Sequence, residues 1–257
     1  MMIDPVCGMV VSSEDYPTKH KNVLYAFCSD LCKQSFLQHP DIYIDMQISR
    51  IQDRNKELEL VRSETIQCLS RAAEYKDNET GEHIARMARH CKRLAMIYGL
   101  DMRHVQLIEM ASPMHDIGKI GIPGYILLKE GPLDANERCV MQQHPEIGAK
   151  IIGENLQSEL MNMASSISLS HHEKWDGTGY PKGLKGELIP IQGRIVGICD
   201  VFDALISKRP YKPAWPIDKI KNLISQQTGK HFDPILATLF LENFADFLSI
   251  YNCCNKA

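Results

Sequence analysis

The chain has 257 residues, of which 44% are hydrophobic and 24% are charged, a composition typical of a soluble globular protein with one large domain or two unequal ones. Its net charge of −3 gives no general attraction for DNA or RNA, so a nucleic-acid polymer is not expected as a partner. The sequence lacks an apolar run of about 18 residues and an N-terminal export signal, so we expect a cytoplasmic protein without a membrane partner. Nine cysteines, an odd number, then argue against a disulfide framework.

Residues 1–45 differ from the rest of the chain because they are rich in Cys, Pro and aromatic residues. We predict a small α+β module here, and a module of this size often needs a bound metal to supplement its hydrophobic core. Cys7, Cys28 and Cys32 are the candidate ligands of such a second metal site. The alternative interpretation is that these cysteines are small buried residues in a protein-interaction module.

Residues 46–76 are strongly charged and contain neither Pro nor Gly, which predicts a continuous connecting helix from Ile44 to about Lys76. A heptad spacing links Ile44, Ile48, Ile51, Asn55, Leu58, Arg62, Thr65, Leu69 and Ala72. A polar residue such as Asn55 on this seam can set the register of a two-stranded coiled coil, whereas Arg62 and Thr65 argue against one. Two interpretations stay open: a homodimer formed through this helix, or a linker helix that lies on its own domain.

Residues 77–257 carry mostly helical patterns and form the third predicted region, so the fold class is mainly α. An apolar stripe from Ile84 to Tyr98 ends at Gly99, as helices often do. Asp134 and Glu137 predict a capping box at the start of a later helix. The long apolar stretch Ile191–Ile206 predicts a buried helix.

Five short segments of this region contain His, Asp and Glu residues that suit metal ions. They are ETGEH (79–83), HDIGK (115–119), QHPEIG (143–148), HHEKWDGTGYP (171–181) and ICDVFDAL (198–205). Each segment alone is weak, because a single His is more often an ordinary core or surface residue. Together they are typical of helical bundles that direct His and carboxylate side chains inward to build multimetal sites.

The adjacent pair His171 and His172 indicates more than one ion. Successive residues of an α-helix point about 100° apart, so one ion can seldom bind both rings. We therefore expect the two histidines to serve different ions of one cluster. In the loop that follows, Gly177 and Gly179 are predicted to adopt positive φ angles in a tight turn.

In their order and spacing, the five segments resemble the HD-GYP subfamily of HD-domain phosphohydrolases over residues 76–240. The resemblance implies an all-helical HD-type bundle that hydrolyses the bacterial second messenger cyclic di-GMP to pGpG and in some members on to GMP. It implies these metal ligands: His83, His115, Asp116, His144, His171, His172 and Asp200. Glu79 matches the extra carboxylate of members that hold three ions.

The chemistry of these residues fits hydrolysis of a phosphodiester. Paired divalent ions activate water and stabilise charge on the phosphate, and Asp116 is our candidate for the carboxylate that bridges them. We expect two or three ions, and nitrogen and oxygen ligands without thiolate favour Fe or Mn, with Zn and other divalent ions as alternatives. The family positions further imply that Lys119 acts on the scissile phosphate or the leaving group, and that Arg209 and Lys212 bind substrate phosphates. We expect Tyr180 at a wall of the nucleotide pocket.

Residues around Cys7 (DPVCGM) and around Cys28 and Cys32 (YAFCSDLC) resemble the YHS domain. From this we derive the hypothesis that the module senses a metal or a thiol-reactive signal and regulates the phosphodiesterase, with signalling proteins as further partners. Two alternatives to the main function remain: a phosphodiesterase for another cyclic dinucleotide, and a catalytically silent cyclic di-GMP receptor.

Overall fold

The computed structural model describes residues 1–77, 81–153, 156–208 and 213–254. The chain divides into two compact units, Met1–Arg62 and Ser63–Ala257. The predicted mainly α architecture with a small α+β module at the N-terminus is confirmed. The finer division into 1–45, 46–76 and 77–257 stays a prediction.

The N-terminal unit contains two small antiparallel sheets and one short helix before the long connecting helix. Its elements are β1 (Met2–Ile3), β2 (Val10–Val11), β3 (Thr18–His20), β4 (Val23–Tyr25) and α1 (Asp30–Gln38). β1 pairs with β2, and β3 pairs with β4. Lys21 and Asn22 connect β3 to β4 with φ angles of 47° and 64°, the left-handed conformation that tight two-residue hairpin turns require.

The core of this unit is aromatic. Phe36 of α1 is fully buried, and its ring centroid lies 5.1 Å from that of Phe27 and 4.9 Å from that of Tyr25. Ser29 caps α1, because its hydroxyl accepts a hydrogen bond from the backbone amide of Cys32. The aromatic cluster therefore fixes α1 against the β3–β4 hairpin.

Helix α2 (Pro40–Asp77) changes character along its length. Every residue from 48 to 62 is exposed. Beyond this stretch, Ile66, Ser70, Ala73 and Glu74 are buried and lie on one helical face. The continuous helix predicted from Ile44 to Lys76 is thus confirmed, and only its C-terminal part packs into the core of the second unit.

The second unit is helical within its described residues. Its helices are α3 (Gly81–Tyr98), α4 (Met102–Ala111), α5 (Gly124–Leu127), α6 (Ala135–Met141), α7 (His144–Ile152), α8 (Glu159–Ser170), α9 (Ile191–Ile206), α10 (Ile217–Gln226), α11 (Pro234–Glu242) and α12 (Phe244–Cys254). Gly99 follows α3 with a φ of 89°, and the capping box of Asp134 and Glu137 starts α6, as predicted. None of the helices described in either unit is long and apolar enough to cross a membrane.

Helix α9 lies at the centre of the second unit, as the apolar stretch predicted. Ile195, Val196 and Phe202 of this helix are fully buried. The Phe202 ring packs edge-on against Phe240 and Phe244 of α11 and α12. The same helix also carries Asp200, which lies with His83 of α3 and with His115, and Asp203, which contacts His83.

Candidate metal centre

The structure brings seven of the predicted ligands into two groups. One group contains Asp116, His144, His171 and His172, and the other contains His83, His115 and Asp200. Within each group the ligand atoms lie within 4.8 Å of one another. Each group therefore has the dimensions of a site that holds a metal ion.

Asp116 lies between the two groups. Its Oδ1 atom is 3.1 Å from Nε2 of His144 and 3.4 Å from Nε2 of His171. Its Oδ2 atom is 3.3 Å from Nε2 of His115, which belongs to the second group. One carboxylate thus presents one oxygen to each group, the geometry that a bridging ligand needs.

Glycines of the two motifs HDIGK and QHPEIG permit this close approach. A short 3₁₀ helix (Ile117–Gly121) follows Asp116 and packs against α7, which begins with His144. A Cβ atom at Gly118 would lie 1.9 Å from the carbonyl oxygen of His144 and 2.5 Å from the amide nitrogen of Gly148. Any side chain at position 118 would therefore push Asp116 and His144 apart.

Backbone carbonyls fix the tautomer of three histidines. The Nδ1 atom of His144 is 2.8 Å from the carbonyl oxygen of Met141, and Nδ1 of His115 and of His171 lie 2.9 Å and 3.0 Å from carbonyl oxygens of their own preceding turns. A carbonyl only accepts hydrogen bonds, so each Nδ1 carries the hydrogen. When the imidazole is neutral, each Nε2 then directs a lone pair at Asp116, which is how metal-bound imidazoles are usually oriented.

A buried ion pair orients His83. The Nδ1 atom of His83 lies 2.7 Å from Oδ2 of Asp203, and Nε of Arg86 lies 2.7 Å from Oδ1 of the same carboxylate. Burial raises the pKa of Asp203, but His83 and Arg86 lower it far below its usual range, so Asp203 is ionised and His83 donates. The sequence analysis assigned no specific partner to Asp203 and did not identify Arg86, although Arg86 follows His83 by three residues and therefore lies on the same helical face.

Two buried atoms of the centre have no hydrogen-bond partner among the described residues: Nε2 of His115 and Oδ1 of Asp116. When His115 is neutral both atoms are acceptors, and acceptors facing one another in a buried site are unfavourable without a cation, either a proton or a metal ion, between them. The donor set of imidazole nitrogens and carboxylate oxygens suits divalent transition metals. The residues present therefore fit a metal centre.

The carboxylates of the site also favour a positive charge beside them. Burial disfavours a charged imidazole at His115, yet the carboxylates of Asp116 and Asp200 raise its pKa to about 10. Burial lowers the pKa of His171 and His172 below the usual range. The two carboxylates thus attract a cation to the space beside Nε2 of His115. A divalent ion competes with a proton for that position.

The arrangement of His171 and His172 differs from the expectation. Helix α8 ends at Ser170, so His171 is its C-cap residue and His172 lies in the following turn. Their ring centroids are only 4.0 Å apart, and both side chains belong to the same group. The argument that helical geometry sends them to different ions is wrong, because His171 is the C-cap residue of α8 and His172 lies beyond the helix.

The loop that follows these histidines is held by hydrogen bonds between backbone amides and a carboxylate. Both carboxylate oxygens of the buried Glu173 accept hydrogen bonds, from the amides of Lys182 (2.8 Å) and Leu184 (2.9 Å). Gly177 has the predicted positive φ, 85°, but the same prediction for Gly179 is wrong. Gly179 is needed instead for close packing, since a Cβ there would lie 2.3 Å from a backbone nitrogen.

The residues predicted to bind substrate are partly described. The Tyr180 ring stacks on His172 at a centroid distance of 4.7 Å. The ammonium group of Lys119 lies 2.8 Å from Oδ2 of Asp116 and also pairs with Asp77, a residue that the sequence interpretation missed. Lys119 and Tyr180 thus both lie at the cluster. The predictions for Glu79, Arg209 and Lys212 fall outside the described residues.

The N-terminal unit contains a separate group of Cys7, Cys28 and Cys32 around Asp4. The Sγ atom of Cys28 lies 3.5 Å from that of Cys7 and 3.6 Å from that of Cys32. Asp4 is fully buried, and its two oxygens accept hydrogen bonds from the backbone amides of Val6 and Cys28, both at 2.8 Å. Asp4 therefore holds the two cysteine-bearing segments together.

Comparison with known proteins agrees with this two-part organisation. Residues 67–236 match the HD domain family, and residues 2–46 match the YHS domain. A 3′3′-cGAMP-specific phosphodiesterase from Vibrio cholerae is 46% identical over 187 residues, which cover 73% of this chain and 36% of that protein. A cyclic di-GMP phosphodiesterase from the same organism is 41% identical over 215 residues, which cover 79% of this chain and 44% of that protein. The chain spans less than half the length of either relative.

A solved structure has a similar fold. A HDG"Y"P protein from Bdellovibrio bacteriovorus superposes with a TM-score of 0.52 over 95% of this chain and 98% of that one. The two sequences are only 16% identical, so this likeness concerns the fold alone. It agrees with the helical architecture described above.

Proposed function

We propose that this chain, which belongs to the HD domain family, is a metal-dependent phosphodiesterase that hydrolyses cyclic di-GMP to the linear dinucleotide pGpG. The single observation that carries the proposal is the position of Asp116, whose two carboxylate oxygens face imidazoles of two separate ligand groups. A pair of ions joined by one carboxylate is the arrangement used for in-line attack on a phosphodiester. Relatives named as cyclic dinucleotide phosphodiesterases support the substrate class.

The chain's own residues have distinct tasks in this reaction. His144, His171, His172 and one oxygen of Asp116 would hold one ion, and His83, His115, Asp200 and the other oxygen of Asp116 would hold the second. When bound, divalent ions lower the pKa of water and stabilise the charge that develops on the phosphate. The ammonium group of Lys119 would donate a hydrogen bond to the scissile phosphate or a proton to the leaving oxygen.

The number and kind of ions form a second part of the proposal. Glu79 lies four residues before His83 in the sequence and matches the extra carboxylate of family members that hold three ions, so we propose a third ion beside the bridged pair. Iron or manganese is favoured over zinc, because the described groups offer nitrogen and oxygen atoms without thiolate. Metal counting on the wild-type protein and on Glu79→Ala tests this point. The variant should lose one ion per chain, and an unchanged count would contradict the trinuclear assignment.

Binding of the substrate would use cations near the cluster. The cyclic dinucleotide carries two phosphates, while the chain as a whole has a net charge of −3, so local cations must hold it. We propose that Lys119, Arg209 and Lys212 supply them, with the Tyr180 ring as a wall for a base. The stacking of Tyr180 on His172 supports its part in this arrangement.

A different cyclic dinucleotide is the nearest alternative substrate. The relative that is 46% identical is named as specific for 3′3′-cGAMP, so similarity alone does not select the base. A silent cyclic di-GMP receptor is the alternative from another class. Such a receptor would not need the seven ligands that the described residues place together.

One preparation distinguishes these three functions. The protein is purified anaerobically, its metals are counted, and hydrolysis of cyclic di-GMP and of 3′3′-cGAMP is followed by chromatography. At least two ions per chain with faster turnover of cyclic di-GMP supports the main proposal, whereas faster turnover of 3′3′-cGAMP supports the alternative substrate. A protein that holds its full complement of metal and binds cyclic di-GMP without hydrolysing it would favour the receptor function over the enzymatic one.

For the N-terminal unit we propose a regulatory thiol site. Cys7, Cys28 and Cys32 bring three sulfur atoms within hydrogen-bonding distance of their neighbours, which suits a thiophilic ion. Cys28→Ser/Cys32→Ser should abolish any change in turnover that a thiophilic metal causes in the wild-type protein. The matched control changes the exposed Cys68 and Cys139 to Ser and should leave that response intact. A response that persists in the first variant would remove the proposal.

A further inference from the structure

An apolar seam runs along the part of α2 that is exposed among the described residues. Every residue from 48 to 62 is exposed, and Ile48, Ile51 and Leu58 are 48%, 53% and 58% exposed. A helical stretch of this length gains little stability from backbone propensity alone, because most helical stability in proteins comes from packing of an apolar face. The exposed apolar residues of this stretch therefore favour packing against another molecule.

The apolar residues of this stretch follow the period of a coiled coil. Steps of four and three residues link Ile44, Ile48, Ile51, Asn55, Leu58 and Arg62, which alternate between the d and a positions of a heptad. We limit the seam to residues 44–62, because from Ile66 onward another face of the helix is buried in the second unit, although the heptad spacing itself continues to Ala72. The seam is thus about 27 Å long at 1.5 Å per residue.

The residue at the middle of the seam indicates what covers it. Asn55 occupies an a position, where an apolar partner would leave its amide unpaired and buried. Asn55 of a second copy at the same level of the coiled coil would pair with this amide, because one amide can donate a hydrogen bond to the other across a two-fold axis. The seam is therefore complementary to itself in a parallel, in-register pair.

The charged residues beside the seam favour the same parallel, in-register arrangement. In a parallel coiled coil, each g position faces the e position five residues later on the partner helix. Arg54 at g would then face Glu59 at e, and Gln47 at g would face Gln52 at e. Arg62 on the seam lies 3.5 Å from Glu59 of its own chain, so its charge is offset where the helices would meet.

We infer that residues 44–62 of α2 form a parallel two-stranded coiled coil with the same residues of a second copy of this chain. The homodimer is independent of the proposed phosphodiesterase activity, because none of these residues belongs to the candidate metal centre. Since the seam is short, the dimer dissociates on dilution.

The first test compares two double substitutions of equal chemistry on the full-length protein. Ile51→Glu/Leu58→Glu places charges on the seam, whereas Met46→Glu/Leu60→Glu places them at f positions, whose side chains are 44% and 59% exposed and face away from the partner. In sedimentation equilibrium, the wild-type protein and the f-position variant should associate as dimers. The seam variant should dissociate at least about a hundredfold more readily, because each substitution acts twice in a dimer.

Three results would overturn the inference: a wild-type protein that stays monomeric at every concentration, equal weakening by the two double substitutions, or a seam variant that remains as dimeric as the wild type. Circular dichroism of each variant checks that the helix is retained. Metal content checks that the second unit is folded.

The second test examines the direction of the helices. Arg54→Glu should weaken the dimer about tenfold, since it sets two glutamates opposite each other on both sides of the seam. The double variant Arg54→Glu/Glu59→Arg should associate at least about tenfold more tightly than Glu59→Arg alone, because both lack the Glu59–Arg62 contact and only the double variant places opposite charges at facing g and e positions. A double variant that associates no more tightly than Glu59→Arg alone would exclude the parallel arrangement, since antiparallel helices pair g with g and e with e.

Discussion

The His/Asp centre and the thiol group are assembled by different means. The centre draws its ligands from segments between α3 and α9, whereas the thiol group draws on residues 4–32 alone. In the centre, hydrogen bonds to Nδ1 hold the imidazoles and leave Nε2 free, as at His144. In the thiol group, backbone amides hold the carboxylate of Asp4, and the thiols contact one another.

This difference affects when each site can bind a metal. The carboxylate of Asp4, followed by burial, raises the pKa of the Cys28 thiol to about 12, so this thiol is protonated at neutral pH. A metal must displace that proton before the thiol becomes a ligand. In the His/Asp centre burial lowers the pKa of His171 and His172, so these imidazoles are neutral, and at His115, whose pKa is about 10, a metal must also displace a proton. The two sites are thus expected to differ in both preferred ion and pH response.

The largest expected effect is that of Asp116→Asn on the centre. The amide keeps the shape of the side chain but removes the charge that faces both ligand groups, so metal retention should fall. Turnover should decrease at least about a thousandfold, since ions contribute several kcal/mol to the transition state. Metal analysis and initial rates on the same sample measure both effects. An Asp116→Asn protein with a full complement of metal and near-normal turnover would contradict the bridging role.

Lys119→Met should affect turnover while leaving the metal in place. Loss of a positioned proton donor typically reduces the rate about a hundredfold or more. Removal of a cation beside Asp116 does not remove a ligand, so the metal content should stay at the wild-type value. The control is Lys129→Met, which breaks an ion pair with Glu137 away from the centre and should leave the rate unchanged. A parallel loss of metal in Lys119→Met would instead assign the lysine a structural role.

Asp203→Asn should weaken metal binding about 10- to 100-fold through the orientation of His83. Asp233→Asn is a matched control, because Asp233 is also a buried carboxylate bound to an arginine, Arg194, at 2.5 Å. Both variants should lose stability in thermal unfolding, since each removes the charge of a buried carboxylate that an arginine contacts. Metal titration should then separate them, and equal metal affinities in the two variants would show that Asp203 does not position His83.

The smallest expected effect is on the stability of the N-terminal unit. Burial alone would raise the pKa of Asp4, but hydrogen bonds from the amides of Cys28 and Val6 lower it to about 2. Since this value is below the ordinary 3.8, the ionised Asp4 stabilises the folded unit above about pH 4, and the contribution is lost as the pH falls through 2.

Asp4→Asn should therefore destabilise this unit by about 1–2 kcal/mol at pH 7 and by much less at pH 2. Hydrogen exchange of peptides from residues 1–38 measures the local free energy of opening in the full-length chain. Metal content and turnover of the second unit should stay unchanged. A stability difference that is as large at pH 2 as at pH 7 would contradict the ionised role of Asp4.

Local patterns in the sequence predicted the helices well. The stretch Ile191–Ile206 is a single buried helix, and Asp134 with Glu137 caps another, because periodicity and capping depend on residues a few positions apart. The ligand residues were recognised from five motifs that resemble one family. Both kinds of prediction depend on short segments, because their properties follow from residues that are close together in the sequence.

The grouping of those ligands depends on the tertiary structure. Whether His171 and His172 share a group depends on where α8 ends, and the helical argument failed because that end lies at Ser170. Asp203 meets His83 across 120 positions of the chain. The role of Gly118 is likewise non-local, since it allows the turn after Asp116 to pack on α7.

The sequence by itself thus determined the helical architecture, the set of candidate HD-type ligands and the three candidate cysteines. The packing of helices decided that Asp116 faces two groups, that Asp203 and Arg86 orient His83, and that Asp4 gathers the thiols. The physical reason is that periodicity and residue chemistry are local properties. The direction of a lone pair and the partner of a buried charge depend on segments far apart in the chain.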